Sequence, residues 1–535
     1  MDLASGVSTD IEVGDGSAAL RWRVSSLHIV AGLVLVAVFV RWIGITHREL
    51  WLDEAYSAWF SDRSWIDLWT RVPTYEPHPP LYYSLLKLWK GLWGSDLTGL
   101  RSLSLFFSVL AVPVVFAAAK AHERLSPSGR GQLRAYAAAL LMAVSPILVW
   151  LGAEARPYPM LTLGYSVAIL ALLKLGREFR DGSAGSWRWW AALAAGTELT
   201  LWSHGLGILY AACLFAATLL LAGRDKPFRK RWSRVAAASA VIAIAYVPCM
   251  VLMAERAADW GGSGWLEWKA ADVLQLIALY SVPMTSVTAA AILCAVLMLL
   301  LAKRAIAWSA SRRTASNSDC AILILWLGPP ALAVLISATV MPVFLLRTLS
   351  ATLVPAYLAM AGALARTEAR SERRLLTIAA SILLTGAAIQ TSFREPAEEW
   401  DKVSSYLALN AAPADEVWLY PNDSALPLDE AKRRLGQDYS TRSLPAPFPA
   451  LASRGPIRAG SPATVSLTPA GARNLAAESA GKPQAIWLVT RQEWFFDPDS
   501  DLRTALSAVR RAGPAVEWGY IKVQPFYQRS DSAAR

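Results

Sequence analysis

Long apolar segments alternate with short polar connections along the first 390 residues of the chain. The first segment follows Arg21 and Arg23 and continues to about Thr46; no small-residue cleavage site comes after it, so we expect a retained helix rather than a signal peptide. Ten further segments of membrane-spanning length are centred near residues 109, 142, 166, 195, 214, 243, 293, 329, 356 and 382. The pattern predicts about eleven transmembrane helices in residues 21–390, after a disordered polar tail in residues 1–20.

The composition supports this interpretation. Hydrophobic residues make up 55% of the 535 residues and charged residues 17%, which is typical of a polytopic, mainly α-helical membrane protein. The net charge of +11 does not indicate nucleic-acid binding, because the basic residues lie in short loops between apolar segments. The four cysteines lie in or beside these segments, without the spacing of a disulfide framework or a zinc site: Cys213, Cys249, Cys294 and Cys320.

The basic residues divide the connecting loops into two sets. Alternate loops contain 22 Lys and Arg residues, whereas the intervening short loops contain 4. Basic residues concentrate on the cytoplasmic side of membrane proteins, so the first set is predicted to be cytoplasmic: 120–134, 174–188, 223–234, 303–313 and 366–374. An odd number of spans then places the N-terminus inside and everything after about residue 391 outside.

Two regions on the predicted outer side are longer than the other loops. In the first outer loop, residues 47–99, six of the 24 Trp residues fall within 43 residues, a density typical of the lipid headgroup level. Apolar residues at helical spacing predict two helices lying flat in the interface, split by Pro73 and by the prolines of 77–80. Residues 391–535 combine strand-like runs at 416–420, 485–490 and 516–526 with helical stretches, which predicts a small α/β domain.

Asp53 and Glu54 directly follow the first apolar segment. Carboxylates at the mouth of a membrane bundle are costly to desolvate and are functional candidates; the alternative is a helix N-terminus, where acidic residues complement the helix dipole. On one helix, the two adjacent side chains are not expected to point the same way. His78 stands before Pro79 and Pro80, where it is either a ligand or a turn residue.

Three arginines lie at the outer ends of spans, against the charge bias: Arg101, Arg156 and Arg347. Each alone is explained by snorkelling to lipid headgroups, but three together favour a phosphate clamp. Glu154 either pairs with Arg156 or contacts a substrate. His204 is equally consistent with an interface histidine, and the glycine-rich loop 259–265 with a lid over a sugar or a plain flexible loop.

Several motifs resemble those of the GT-C polyprenyl-phosphate-sugar glycosyltransferases. They are Asp53-Glu54 after the first helix, His78-Pro79-Pro80-Leu81-Tyr82-Tyr83 in the same loop, Leu100-Arg101-Ser102, Ala155-Arg156-Pro157-Tyr158 and Leu346-Arg347-Thr348. The chain is most similar to the bacterial relatives of protein O-mannosyltransferases and to the lipid A aminoarabinose transferases. It departs from the family pattern at Leu103, where proline is usual, and at Thr348, where tyrosine is usual.

The resemblance implies a GT-C fold and the transfer of a sugar from a polyprenyl-phosphate donor to a lipid, glycan or protein hydroxyl. It implies Asp53 as the general base, with Glu54 beside it to orient either the acceptor or Asp53. A single carboxylate acting as base predicts one displacement with inversion at the anomeric carbon. Partial desolvation is expected to raise the pKa of Asp53. The residues expected to bind substrate are His78, Tyr82, Arg101, Glu154, Arg156 and Arg347. No clear metal site is visible, although a divalent cation near Asp53, Glu54 and His78 is left open.

Two other classes of membrane protein were weighed against this enzyme. A transporter or flippase of lipid-linked saccharides should place charges and broken helices near the bilayer midplane, whereas here the ionisable residues crowd the outer ends. A polysaccharide ligase or polymerase should have its large loop late among the spans, whereas here the largest loop is the first.

The C-terminal domain lacks the motif residues, so we expect it to shape acceptor access rather than chemistry.

Overall fold

Fifteen α-helices precede the C-terminal domain in the computed structural model, which describes residues 25–74, 76, 78–223, 228–260, 267–280, 289–310, 316–393, 398–449 and 467–529. The predicted N-terminal tail and most of the loop 259–265 lie outside these residues. The helices are α1 (Ser26–His47), α2 (Leu52–Asp62), α3 (Trp65–Thr70), α4 (Leu81–Trp93), α5 (Leu97–Leu125), α6 (Gly131–Val144), α7 (Pro146–Gly152), α8 (Tyr158–Arg180), α9 (Trp187–Leu201), α10 (Gly207–Ala222), α11 (Phe228–Trp260), α12 (Ala289–Ala310), α13 (Asn317–Thr339), α14 (Leu353–Arg366) and α15 (Arg370–Ser392).

Each of the eleven predicted apolar segments coincides with a helix. Among the described residues, however, only eight helices are long and apolar enough to cross a membrane, or nine if the bent pair α6 and α7 counts as one span. The other two, α9 and α10, have 15 and 16 residues, about 22–24 Å at 1.5 Å per residue, which is shorter than the hydrocarbon core of about 30 Å. The chain is therefore a multi-pass, mainly α-helical membrane protein with two short helices inside its bundle.

The bend between α6 and α7 is stabilised by an arginine on α1. The two helices meet at 53°, where Pro146 has no N–H to donate to the carbonyl of Met142. Arg41, which is fully buried, donates instead to the carbonyls of Met142 at 3.2 Å and Ala143 at 2.7 Å. Its Nε donates to Ser108 of α5 at 2.8 Å. The side chain of Arg41 thus connects α1 to α5 and to the bend between α6 and α7. It therefore helps to fix the direction of α7 and the position of the loop that follows it.

The described residues of the first outer loop form three α-helices rather than the two that its pattern predicts. The first predicted helix is divided at Ser64, whose side chain accepts a hydrogen bond from the N–H of Asp67 and caps α3. Apolar side chains on α3 and α4 face outward, among them Ile66 and Leu92, which are 76% and 79% exposed. These outward side chains suit an interfacial position, which stays a prediction.

The C-terminal residues form the predicted α/β unit around a mixed sheet. Its strands are β1 (Glu416–Tyr420), β2 (Thr441–Ser443), β3 (Ile486–Arg491), β4 (Arg511–Ala512), β5 (Val516–Trp518) and β6 (Ile521–Tyr527), and its helices are α16 (Trp400–Asn410), α17 (Ala425–Leu435), α18 (Pro469–Ser479), α19 (Glu493–Phe496) and α20 (Asp501–Val509). The order is β2-β1-β3-β6-β4, with β5 beside β6, and β1 is parallel to both β2 and β3. The carboxyl ends of β1 and β3 therefore share one edge, which packs on α2.

Candidate active site

Asp53 lies in the first turn of α2 and faces two arginines from other parts of the chain. Its Oδ2 lies 3.1 Å from Nη2 of Arg347 and 3.8 Å from Nη2 of Arg156. Arg156 also donates to the backbone carbonyl of Asp53 at 3.0 Å. Arg156 precedes α8, and Arg347 lies in the short 3-10 helix Leu346–Thr352 that leads into α14. Three segments thus meet at one carboxylate.

The pKa of Asp53 is lowered from its usual value of 3.8. Burial of the side chain opposes ionisation, but the charges of Arg347 and Arg156 outweigh it. The expectation of a raised pKa is therefore wrong for the protein without substrate, because the sequence did not reveal that both arginines face Asp53.

Glu54 points away from Asp53 and forms a buried ion pair with Arg101. Arg101 donates to both carboxylate oxygens, at 2.8 and 2.7 Å, and its remaining N–H groups donate to the carbonyls of Ile45, Arg48 and Glu49. All five guanidinium N–H groups are therefore used within the protein. This geometry joins the end of α1 to α2 and α5, and it does not support the expected contact of Arg101 with phosphate or a chemical role for Glu54.

Arg156 and Arg347 differ from Arg101 in keeping unused donors. The Nε atoms of both are buried without a hydrogen-bond partner among the described residues. The guanidinium carbons of Arg156 and Arg347 lie 6.0 and 5.9 Å from the ring centroid of Tyr158. That of Arg347 also lies 5.4 Å from the ring centroid of Trp51. The pair forms a cationic, aromatic-lined site suited to a phosphate.

His78 forms a carboxylate–histidine dyad behind this pair. Its Nδ1 lies 2.5 Å from Oε1 of Glu76, which assigns the ring proton to Nδ1, and its Nε2 is buried without a partner in the described part of the chain. The ring of His204 packs edge-on against it with centroids 4.5 Å apart. Burial, together with the charge of Arg156, holds the pKa of His78 well below 6.5. His78 is therefore a neutral hydrogen-bond acceptor, and His204 belongs to the same cluster.

Glu154 is almost completely buried beside the arginines. Its Oε1 lies 3.7 Å from Nη1 of Arg48, and its Oε2 has no hydrogen-bond partner among the residues described. Burial raises its pKa to about 7, against the opposing charge of Arg48. The expected pairing with Arg156 is not present; the carboxyl group instead titrates near neutral pH at the edge of the site.

Tyr82 supports the site without reaching it. Its fully buried hydroxyl lies 2.8 Å from Oγ of Ser104, and Ser104 donates to the backbone carbonyl of Arg156 at 2.9 Å. Tyr82 thus orders the loop that carries Arg156; the substrate contact expected from the motif stays a prediction.

The three residues considered for a divalent cation have different partners. Asp53 faces Arg347, Glu54 faces Arg101, and His78 faces Glu76. Within the described ranges, no group of three or more His, Cys, Asp or Glu side chains is arranged to hold a metal ion.

Sequence reasoning missed the contribution of the C-terminal domain to α2. Glu398 accepts a hydrogen bond from the backbone N–H of Leu52 at 3.0 Å, and Asp423 accepts one from the hydroxyl of Tyr56 at 3.0 Å. These pairs are 346 and 367 residues apart in the chain. Neither carboxylate lies in a motif, so no local signal identified them.

Part of the sequence matches a known family. Residues 77–251, about a third of the chain, match the model of the dolichyl-phosphate-mannose-protein mannosyltransferase family. The matched range contains His78, Glu154 and Arg156, and it does not include Asp53 or Arg347. No curated protein matches the sequence.

The fold is shared with solved glycosyltransferase structures. ArnT from Cupriavidus metallidurans aligns with a TM-score of 0.61 and 15% identity over 93% of this chain and 97% of its own. The same enzyme bound to undecaprenyl phosphate aligns with a TM-score of 0.59 and 16% identity over 94% and 98%. The oligosaccharyltransferase of Archaeoglobus fulgidus, tethered with an acceptor peptide, aligns with a TM-score of 0.54 and 15% identity over 90% and 71%.

These likenesses agree with the motifs from which the family resemblance was drawn. At such identities the solved structures establish a common fold, and the family model adds an independent match in sequence. Together they show that this multi-pass membrane protein has the fold of solved GT-C glycosyltransferases and that a third of its sequence matches a mannosyltransferase family model.

Proposed function

We propose that this protein transfers a sugar from a polyprenyl-phosphate donor to an acceptor hydroxyl, with Asp53 as the general base. The observation that carries the proposal is the position of the Asp53 carboxylate between Arg156 and Arg347. A base next to two cations suits a reaction in which an anionic leaving group departs as a hydroxyl loses its proton.

Unused polar atoms around Asp53 support a ligand at this point. Within the part of the chain that the structure describes, buried donors without partners are found on Trp51, Arg156 and Arg347, and buried acceptors without partners on His78 and Glu154. Buried polar groups are nearly always hydrogen-bonded, so a cluster of unpaired ones suits a site that a polar ligand completes. A sugar offers hydroxyl groups to the acceptors, and a phosphate offers oxygens to the donors.

Donor binding would also change the state of Asp53. In the free protein both arginines share their charge with the carboxylate; a phosphate between them would take over part of that charge and raise the pKa of Asp53 toward its usual range. The base would then gain strength only when donor is present. Asp53 would therefore accept a proton mainly from an acceptor hydroxyl in the complex with donor, rather than from water in the free protein.

The reaction is then a single displacement. As Asp53 takes the hydroxyl proton, the acceptor oxygen forms a bond to the anomeric carbon, and the bond from that carbon to the phosphate oxygen breaks. The phosphate leaves with the electron pair and one additional negative charge, which Arg156 and Arg347 stabilise. One displacement at one carbon inverts its configuration, and that outcome belongs to the proposal.

The membrane side and the substrates are also part of the proposal. The 22-to-4 division of basic residues supports a site on the outer face of a bacterial inner membrane. The complex of ArnT with undecaprenyl phosphate supports a polyprenyl-phosphate donor, and the acceptor peptide tethered to the archaeal enzyme supports an acceptor as large as a peptide. For this chain a lipid, a glycan and a protein are equally consistent as acceptors.

The test is transfer by the purified protein in liposomes that contain a polyprenyl-phosphate sugar. Asp53→Asn keeps the side-chain volume and the hydrogen-bonding reach but cannot accept a proton, so transfer should fall about 10²–10⁴-fold while donor stays bound. Asp67→Asn, in the same loop but at the cap of α3, is the matched control and should remain active. Full transfer by Asp53→Asn would refute the assignment of the base.

A further inference from the structure

The first turn of α2 rests on a carboxylate from the C-terminal domain. Oε2 of Glu398 accepts hydrogen bonds from the N–H of Leu52 at 3.0 Å and from Nε1 of Trp400 at 2.9 Å. Glu398 is 3% exposed, and its Oε1 lies 3.5 Å from Nη1 of Arg491. An anion at a helix N-terminus satisfies a free N–H and complements the helix dipole, so Glu398 fixes the start of α2.

A second contact holds the next turn of the helix. The hydroxyl of Tyr56 donates to Oδ2 of Asp423 at 3.0 Å, and Arg491 lies 3.4 Å from the other oxygen of the same carboxylate. Arg491 therefore joins the two carboxylates that receive α2. Glu398 and Asp423 act as one surface rather than as two separate contacts.

This surface is the carboxyl edge of the C-terminal sheet. Asp423 follows β1, and Arg491 ends β3, the two parallel strands at the centre of the sheet. In open α/β sheets the crevice beyond this edge, where the strand order reverses, is the usual place for a ligand. Here α2 of the membrane domain occupies that position.

The connection before α2 is held in the same way. Oε2 of Glu49 accepts a hydrogen bond from the N–H of Asp401 at 2.6 Å, while Arg101 holds the carbonyls of Arg48 and Glu49 from the membrane side. Asp53 follows Leu52 directly, so the backbone that leads into it is fixed by Arg101 at Arg48 and Glu49 and by Glu398 at Leu52.

From these contacts we propose that Glu398 is a positioning residue for Asp53, and that the C-terminal domain is part of the catalytic unit. The inference rests on the proposed function, because it assumes Asp53 as the base. Glu398 acts through the N–H of Leu52 and the first turn of α2. Displacement of a catalytic group by about 1 Å lowers rates by about 10²-fold, so loss of this support should reduce turnover more than donor binding.

The experiment compares Glu398→Ala with Glu398→Gln in the full-length protein, with donor KM and kcat measured in liposomes. Glu398→Ala should lower kcat about 10- to 100-fold with little change in donor KM. Glu398→Gln keeps an oxygen for the N–H of Leu52 and should recover most of kcat. The matched control is Glu416→Ala, a carboxylate of the same sheet paired with Lys482 and far from α2; it should leave kcat unchanged.

Three outcomes would overturn the positioning role. They are unchanged kcat in Glu398→Ala, an equal loss in Glu416→Ala, and no recovery in Glu398→Gln. If Glu398→Ala fails to fold, Tyr56→Phe tests the same surface through Asp423 and should lower kcat with donor KM maintained. Asp53→Asn in the same assay separates the two proposals: full activity there refutes the base, whereas an inactive Asp53→Asn beside a fully active Glu398→Ala refutes only the positioning.

Discussion

At the scale of single residues, the main feature of the site is the pairing of the Asp53 carboxylate with two guanidinium groups in the protein without substrate. Arg156 and Arg347 have Nε donors with no partner among the described residues, whereas Arg101 donates all five N–H groups to Glu54 and backbone carbonyls. The three arginines, all at the outer ends of predicted spans, thus have two different sets of contacts.

Substitution of these arginines should separate the two roles. Arg156→Gln or Arg347→Gln should weaken polyprenyl-phosphate binding by about 1.5–3 kcal/mol, roughly 10- to 100-fold, with partial recovery by lysine, which lacks the planar fork. Arg101→Gln should instead cost about 3–5 kcal/mol of stability, because Glu54 is left buried without its partner. Binding and thermal unfolding are measured on the same samples, with Arg63→Gln as control; normal binding by both site variants would make them structural residues.

The carboxyl group of Glu154 should make donor binding depend on pH. Its pKa is raised to about 7, so it is neutral below and negative above that value, and the negative form repels an anionic donor. Affinity should therefore fall about 3- to 10-fold from pH 6 to pH 8. Glu154→Gln should remove this dependence, as measured by titration with a polyprenyl-phosphate sugar, whose phosphodiester keeps one negative charge from pH 6 to pH 8. Glu49 also has a pKa of about 7, so Glu49→Gln is the control and should keep the pH dependence. Loss of the dependence in this variant would show that Glu49, and not Glu154, causes it.

At the scale of elements, the bend between α6 and α7 positions the loop that contains Glu154 and Arg156. Gly152 allows this packing, because a Cβ there would lie 2.8 Å from Oγ of Ser108 and 3.0 Å from Nε of Arg41. Arg41 supplies to Met142 the donor that Pro146 lacks, and it also donates to the carbonyl of Ala143. The geometry of the site therefore depends on a side chain on α1.

Arg41→Met should destabilise the bundle. Each buried carbonyl left without a donor costs about 1–3 kcal/mol, so the midpoint of thermal unfolding should fall clearly, and Arg41→Lys should recover only part because it reaches fewer acceptors. Arg188→Met, at an exposed position on α9, is the control. Equal midpoints for Arg41→Met and the unchanged protein would show that the bend is held by packing alone.

The elements were predicted to different degrees, and the reasons are physical. Hydrophobic length located every helix of the bundle, but it did not reveal that α9 and α10 are short, because burial among other helices also selects apolar residues. Helical spacing in the first outer loop did not reveal the cap at Ser64, which depends on one side-chain hydrogen bond. The strands β1 and β3 were identified because buried parallel strands are continuous apolar runs.

At the scale of the whole molecule, the membrane domain and the C-terminal domain meet at α2. The family motifs include Asp53, Arg156 and Arg347, whose side chains meet in the structure; their binding of a phosphate stays a proposal. They did not identify Glu398 or Asp423, because those contacts join residues more than 340 positions apart. The expectation that the C-terminal domain only shapes acceptor access therefore left out its support of the first turn of α2.

The orientation of the molecule is tested by reporter fusions. Because 22 basic residues lie in one set of loops and 4 in the other, a periplasm-dependent reporter fused near residue 400 should be active, and one fused near residue 228 should be inactive. Activity at 228 would reverse the orientation and place Asp53 on the cytoplasmic side.

Arg41 also has a consequence for how the chain is assembled during synthesis. On insertion scales an arginine costs about 2.5–3.5 kcal/mol at the centre of a membrane helix and less toward its ends, and Arg41 lies in the last third of α1. The carbonyls that accept from Arg41 lie about 100 residues later. At about 5–20 residues per second, α1 waits roughly 5–20 s before α6 emerges. We expect α1 to stay beside the insertion machinery during that interval, so site-specific crosslinking of stalled nascent chains should detect it there until α6 has been made.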